Sequence, residues 1–124
     1  KGPLDASTQF AKDWHPANQP TAVDKAFAEA VNAELYRIQP HVWRGVMREL
    51  AAVPVGRHAA DVKAPVLVLS GGKDPLFPPP HHASLLKTFP NAEAQVFSEL
   101  GHNPNWERPQ DIAAAMNRFL ESNR

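Results

Sequence analysis

Two residues of this chain have the chemical type and the setting for acid–base chemistry. Asp74 follows the apolar run Val66–Leu69 and a Gly71-Gly72 turn, and His102 follows a second apolar run and a glycine. Their separation of 28 positions in the sequence leaves room for a helical crossover between two parallel strands. Both side chains would then lie at the carboxyl ends of neighbouring strands, where open α/β sheets bind their ligands.

Each of these residues also has a simpler interpretation. An aspartate before proline often stabilises a tight turn, and a single histidine is often held by a backbone carbonyl. The strand that precedes Asp74 and the Gly101-His102 pair after the second strand favour an acid and a base instead. Imidazole takes up and releases a proton near neutral pH. A carboxylate on its other nitrogen fixes its tautomer, so the two residues would supply two members of a catalytic triad.

The hydrophobic pattern predicts the elements that must position this pair. They are helices over 22–38 and 41–53, a strand over 66–69, a helix over 81–89, a strand over 94–100 and a helix over 109–122. The unbroken apolar residues of the first strand are typical of a strand buried on both faces of a parallel sheet. Thr21 and Asp24 have the spacing of a capping box before the first helix. The order predicts an α/β fold in which two helices precede strand–helix–strand–helix.

Composition excludes several classes of function. The 124 residues contain 13 Lys plus Arg and 13 Asp plus Glu, without the basic stripe of a nucleic-acid-binding protein. No apolar stretch approaches the length of a membrane span, and the absence of cysteine excludes disulfides and thiolate metal sites. The chain begins without methionine or a signal-like segment, so we expect an excised or processed piece. The compartment is not fixed by the sequence, and a cytoplasmic location is favoured.

Other polar residues are assigned structural roles. His81 and His82 are adjacent, and neighbours on a helix point about 100° apart, so they indicate a solvated helix start and not a metal site. Glu107 precedes Pro109 and is expected to stabilise the start of the last helix through its dipole. The sequence therefore predicts no metal centre.

From Val62 to its end the sequence resembles the last third of an α/β-hydrolase. The matching segments are Ala64–Leu69, Gly71–Pro78, Phe89–Ala92 and Gly101–Pro109. In that family the penultimate strand ends in the triad acid and the last strand ends in Gly-His, so the resemblance implies that Asp74 is the acid and His102 the base. It also implies that no dissociable cofactor is used and that the loop residues Leu76 and Phe77 border the substrate pocket.

The residues before this segment resemble, more loosely, the helical cap that the family inserts over its active site. The resemblance therefore divides the chain into a cap-like or lid-like region, 1–61, and a C-terminal part of the hydrolase core, 62–124. Trp43, in the second predicted helix, would line the substrate pocket from the cap side, although ordinary helix packing explains its position equally well.

The nucleophile of the family is missing from these residues. It normally stands in a Gly-x-Ser-x-Gly elbow, and no such motif occurs here; Ser70 lies on the acid strand and is not a candidate. The resemblance thus implies part of a hydrolase that acts on a carboxylic ester or related acyl compound. Two alternatives stay open: an Asp nucleophile, as in dehalogenases and epoxide hydrolases of this fold, or a non-catalytic module that associates with itself.

Open strand edges and apolar helix faces predict a partner for this chain. Two parallel strands with unpaired edges invite pairing with another chain, and a large open apolar surface is rare on soluble monomers. We expect the N-terminal half of the hydrolase, or a second copy of this chain, to cover those surfaces.

Overall fold

The computed structural model describes residues 23–124. Its elements are α1 (Lys25–Arg37), α2 (Pro40–Ala52), a 3-10 helix (Val55–Asp61), β1 (Val66–Gly71), α3 (Pro79–Thr88), β2 (Ala92–Phe97), α4 (Pro104–Glu107) and α5 (Pro109–Ser122). Two helices followed by strand–helix–strand–helix is the predicted order, with the short α4 as an unpredicted addition. Between residues 23 and 124 no helix is both long and apolar enough to cross a membrane.

Proline sets the start of four of the five α-helices found in residues 23–124. It occupies the first turn of α2, α3, α4 and α5. Its fixed φ suits a helix there, and its lack of an N–H costs no hydrogen bond, because N–H groups in the first turn have no acceptor within the helix. The first helix begins differently, because the Asp24 side chain accepts a hydrogen bond from the Phe27 N–H at 2.9 Å. Asp24 is therefore the N-cap and not the third helical residue of a capping box; Thr21 lies outside the described residues.

The two strands form a parallel pair, with α3 as the crossover between them. The register runs from Val66 opposite Ala92 to Gly71 opposite Phe97, so the carboxyl ends of both strands lie at one edge. The predicted second strand, 94–100, was placed too late in the sequence. Its polar start is tolerated because that face is partly open to solvent, and its predicted end is a turn closed by the Leu100 N–H and the Phe97 carbonyl at 3.1 Å.

The buried apolar side chains are concentrated in and near α5. Ile112 and Ala115 are buried on this helix, and Leu100 is buried in the turn after β2. Leu35 of α1 is buried separately, whereas α2 has no buried residue. Residues 66–69 of β1 are half-buried, and not fully buried on both faces as their composition predicted, because the described sheet has only two strands.

Candidate active site

The loops that follow β1 and β2 are joined to each other at the carboxyl edge of the sheet. The Gly72 N–H donates to the Phe97 carbonyl at 2.8 Å, and the Lys73 N–H donates to the Leu100 carbonyl at 2.9 Å. The Lys73 ammonium also forms an exposed ion pair with Glu99. Because exposed ion pairs contribute little to stability, the two backbone hydrogen bonds connect the loops more firmly than this ion pair does.

The Gly71-Gly72 sequence permits this close approach. A Cβ atom at Gly71 would lie 2.0 Å from the carbonyl oxygen of Gly101, and one at Gly72 would lie 2.7 Å from the carbonyl oxygen of Ser98. Both glycines have ordinary negative φ angles, so space and not backbone conformation requires them. Without a side chain at these positions, the two loops can contact each other through their backbones.

Asp74 is held on both of its carboxylate oxygens. Oδ1 accepts hydrogen bonds from the backbone N–H groups of Leu76 at 2.8 Å and Phe77 at 3.0 Å, and Oδ2 lies 3.1 Å from Nδ1 of His102. The Asp74 side chain is only 6% exposed. Burial opposes ionisation, but the hydrogen bonds from Phe77, His102 and Leu76 outweigh it and hold the pKa of Asp74 below its ordinary value.

These contacts define the tautomer of His102. An ionised carboxylate only accepts hydrogen bonds, so the proton lies on Nδ1 of His102 and is donated to Asp74. Nε2 of the neutral ring is then left with a lone pair that can accept a proton. The side chain is 25% exposed, which leaves part of the ring accessible. The predicted proximity of the two residues at the ends of adjacent parallel strands is confirmed by this geometry.

Phe77 lies between two imidazole rings. Its ring centroid is 5.3 Å from that of His102 and 4.7 Å from that of His81, which stacks on it at an interplanar angle of 25°. His82, beside it on α3, is half-buried. The interpretation of these two histidines as a solvated helix start is confirmed for His81, which is exposed, whereas His82 is half-buried.

A cavity of about 190 Å³ opens beside the pair. Its lining residues are Val68, Leu69, Ser70, Gly71, Asp74, Phe77, His81, His82, Leu85, His102 and Pro104. In the part of the chain that the structure covers, no cluster of His, Cys, Asp or Glu could hold a metal ion. A larger cavity of about 910 Å³ lies at the opposite end of the sheet, against the first residues of both strands, Val66 and Ala92, and contains none of the predicted site residues.

The remaining predicted residues lie at different distances from this cavity. Phe77 lines it, whereas Leu76 contributes its backbone N–H to Asp74 and leaves its side chain 41% exposed. Trp43 is half-buried on α2 and is not among the residues that line the cavity. The substrate contacts expected of Trp43, Leu76 and Phe77 remain predictions.

Sequence reasoning missed the contact between Glu107 and Gly101. Glu107 is the last residue of α4 and lies two positions before Pro109, the first residue of α5; it is buried, and Oε1 accepts a hydrogen bond from the Gly101 N–H at 2.8 Å. The expected effect of its charge on the start of α5 stays a prediction. Pro104 was the available signal, since proline favours the first turn of a helix and a helix there turns Glu107 back towards Gly101.

Comparison of the sequence with known proteins identifies the family to which the chain belongs. The sequence model of a family described as "alpha/beta hydrolase fold" matches residues 3–109. One relative, the sn-1-specific diacylglycerol lipase ABHD11 of Mus musculus, is 36% identical over 56 residues. That match covers 45% of this chain and 18% of the relative, so the shared segment spans less than a fifth of the relative's length. The family match extends over most of the 124 residues, and the chain belongs to the α/β-hydrolase fold family.

Proposed function

We propose that Asp74 and His102 are the acid and the base of a nucleophile–His–Asp triad that hydrolyses a carboxylic ester or a related acyl compound. The observation that carries this proposal is the 3.1 Å contact between Asp74 Oδ2 and His102 Nδ1 at the carboxyl edge of two parallel strands. Family membership supports a hydrolase, and the pair supplies the parts of the reaction that move protons.

The chemistry assigned to the pair follows from its protonation states. Nε2 of His102 takes the proton of the nucleophile as that group attacks the acyl carbon, and it returns the proton to the departing alcohol oxygen as the ester bond breaks. Water then attacks the acyl-enzyme with the same proton transfers, which releases the acid and restores the nucleophile. Asp74 stays ionised throughout and stabilises the imidazolium, a role that agrees with the lowered pKa of its carboxyl.

The nucleophile and the oxyanion hole are proposed to come from outside the 124 residues. No Gly-x-Ser-x-Gly elbow occurs within them, and a serine in such an elbow is our first choice. If the nucleophile is instead an aspartate, His102 would activate water to hydrolyse an alkyl-enzyme ester, as in the dehalogenases and epoxide hydrolases of this fold. The residue at the elbow distinguishes these two reactions directly.

An acyl substrate is supported by the relative and by the apolar surface near the pair. The matched relative is named as an sn-1-specific diacylglycerol lipase. Leu76 and Phe77 are 41% and 44% exposed beside Asp74, so both can contact an apolar group. We propose that residues 1–61 form a cap whose Trp43 completes this pocket over the core segment, residues 62–124.

A covering partner is also part of the proposal. Val42, Val46 and Leu50 repeat along one face of α2 and are exposed, and open apolar surface of this extent favours association. The N-terminal half of the hydrolase is the proposed partner, with a second copy of the chain as the alternative. If the chain only associates with itself, and the coding sequence holds no elbow, a non-catalytic module is the better description. If the 124-residue chain sediments as a stable, compact monomer at high concentration and unfolds in a two-state transition, it is a self-sufficient domain and needs neither partner.

Hydrolysis of p-nitrophenyl esters of increasing acyl length tests the triad. The 124-residue chain is compared with a longer product that also contains the sequence encoded upstream of Lys1. We expect no turnover by the chain alone beyond a background that His102→Ala leaves unchanged. In the longer product, Asp74→Asn should lower kcat by about 10⁴-fold, as loss of the correct tautomer does in serine proteases.

The matched control is a second His–Asp pair. Nδ1 of His58 lies 3.3 Å from Asp61 Oδ2, but both side chains are about four-fifths exposed. They belong to the 3-10 helix, which borders the cavity at the opposite end of the sheet. His58→Ala should leave hydrolysis unchanged. Turnover by the 124 residues that His102→Ala abolishes would show that the nucleophile lies within them. Full activity of the longer product with His102→Ala would overturn the triad itself.

A further inference from the structure

We propose that Glu107 is a positioning residue that fixes the Gly101–His102 backbone and thereby directs the imidazole towards Asp74. This inference rests on the proposed role of His102 as a base. It assigns a function to a buried carboxylate that takes no part in the proton transfers described above.

The burial of Glu107 is the first observation. Its exposure is 6%, and within residues 23–124 only Ser70 is another buried polar or charged residue. Transfer of a carboxylate out of water is costly unless hydrogen bonds compensate it. A buried glutamate that only ended a four-residue helix could be replaced by an apolar side chain, so its contacts must account for its presence.

The contact of Glu107 with Gly101 is the second observation. Oε1 accepts the Gly101 N–H at 2.8 Å in a buried environment, and a hydrogen bond to a charged acceptor is stronger than one between neutral groups. The short helix α4 brings the carboxylate back to this N–H, since the N–H groups of Trp106 and Glu107 both donate to the Asn103 carbonyl. The loop from Gly101 to Glu107 is therefore closed on itself.

The opposite side of Gly101 is fixed by the sheet. Its carbonyl oxygen lies against Gly71, only 2.0 Å from the position that a Cβ atom would take there. The Gly101 N–H faces the Glu107 carboxylate, and the next residue along the chain is His102. Contacts on both sides of Gly101 fix the direction in which the backbone enters His102. That direction determines whether Nδ1 of His102 meets Asp74, so Glu107 acts on the base through the backbone.

Imidazole ¹⁵N NMR of the 124-residue chain tests this role without requiring hydrolysis. In the unaltered chain, His102 is expected to be mainly the Nδ1–H tautomer because Asp74 accepts that proton. Glu107→Leu removes the acceptor and should convert His102 to a mixture of both tautomers. The Gly101 amide should exchange with solvent about tenfold faster, since a hydrogen bond to a charged group is lost. Glu107→Gln keeps an acceptor oxygen and should restore the Nδ1–H tautomer.

Two controls separate positioning from a general loss of structure. Glu121 is exposed near the end of α5, so Glu121→Leu should change neither readout. Circular dichroism verifies that each variant is folded. If Glu107→Leu does not fold, Glu107→Asp takes its place, because it keeps the charge but shortens the side chain by one methylene group. Its tautomer mixture should then differ from that of Glu107→Gln.

The outcomes also distinguish this inference from the proposed function. A folded Glu107→Leu or Glu107→Asp variant with His102 still mainly in the Nδ1–H tautomer would overturn the positioning role. If the tautomer changes as expected but the longer product does not hydrolyse esters, the positioning role stands and the proposed substrate class is wrong.

Discussion

The two-helix segment, residues 25–52, and the strand-containing segment, residues 66–122, differ in how they bury their apolar side chains. Both carry regular apolar patterns in sequence. In the strand-containing segment part of the pattern is buried, at Leu100, Ile112 and Ala115, whereas Val96, Met116 and Leu120 are exposed. In the two-helix segment only Leu35 is buried; on α2, Trp43 is half-buried, and the exposed apolar side chains are Val42, Val46, Met47 and Leu50.

This difference shows that an apolar stripe predicts a helix but not the surface that covers it. The Asp74–His102 pair lies in the segment whose packing is provided by its own elements. The two-helix segment touches that region through the Phe27 ring, which meets Trp106 of α4 edge to face at 5.6 Å. The free energy of unfolding and the geometry of the site should therefore respond strongly to changes in the strand-containing segment and weakly to changes in α2.

The largest difference in the free energy of unfolding is expected when a glycine is replaced by alanine in each of the two segments. Gly71→Ala places a methyl group 2.0 Å from the Gly101 carbonyl, and only backbone movement can relieve that clash. We expect a loss of more than about 3 kcal/mol in the free energy of unfolding, with loss of the Asp74–His102 contact. Gly45→Ala on α2 meets no atom within 4 Å and should stabilise the helix by about 1 kcal/mol. Urea unfolding measures both, and equal effects would contradict the comparison.

Truncation of one apolar side chain in each segment should give the next largest difference. Ile112 is 7% exposed on α5, whereas Leu50 is 66% exposed on α2. Ile112→Ala should lower the free energy of unfolding by about 2 to 3 kcal/mol, and Leu50→Ala by less than about 0.5 kcal/mol. Urea unfolding below the concentration at which the chain associates verifies this. A large loss for Leu50→Ala would show that α2 is covered in solution.

Removal of the N-cap hydrogen bond at the start of α1 tests whether the two segments unfold together. Asp24 accepts the N–H of Phe27, the same residue whose ring contacts Trp106. Asp24→Ala should cost about 1 kcal/mol in a transition followed by fluorescence of tryptophan. Asp24→Asn, which keeps an acceptor, is the control and should cost much less. If helix content falls for Asp24→Ala but the unfolding midpoint of the strand-containing segment does not, the segments are independent.

Sequence reasoning located the candidate site because strand ends are positions that chain topology fixes. Once two apolar runs are joined by a crossover, parallel pairing brings Asp74 and His102 to the same edge, whatever the details of packing. An apolar pattern does not find the start of β2, because Glu93 and Gln95 are polar. Only the sheet register shows that they belong to the strand.

Burial was harder to predict than secondary structure. The half-buried state of β1 depends on how many strands adjoin it, which its own residues do not specify. The burial of Glu107 was not predicted because a charged residue is usually exposed, and it accompanies the hydrogen bond that the carboxylate accepts from the Gly101 N–H. The contact of Phe77 with His81 and His102 depends on a loop conformation that no periodic pattern determines.

The smallest effect on the free energy of unfolding is expected from acid, which protonates the carboxyl groups of Asp74 and Glu99 in the two joined loops. Hydrogen bonds lower the pKa of Asp74 against the opposing effect of burial, and Lys73 lowers the pKa of Glu99. Because folding favours both carboxylates, their contribution to stability is complete above the ordinary carboxyl pKa of about 4 and is lost as the pH falls through the lower folded values. Unfolding by urea between pH 6 and pH 2 should therefore show decreasing stability.

Asp74→Asn should reduce that pH dependence more than Glu99→Gln, since Glu99 is exposed and its ion pair is screened by solvent. An unchanged pH dependence in Asp74→Asn would show that the acid loop does not hold an ionised carboxylate more strongly than the unfolded chain does.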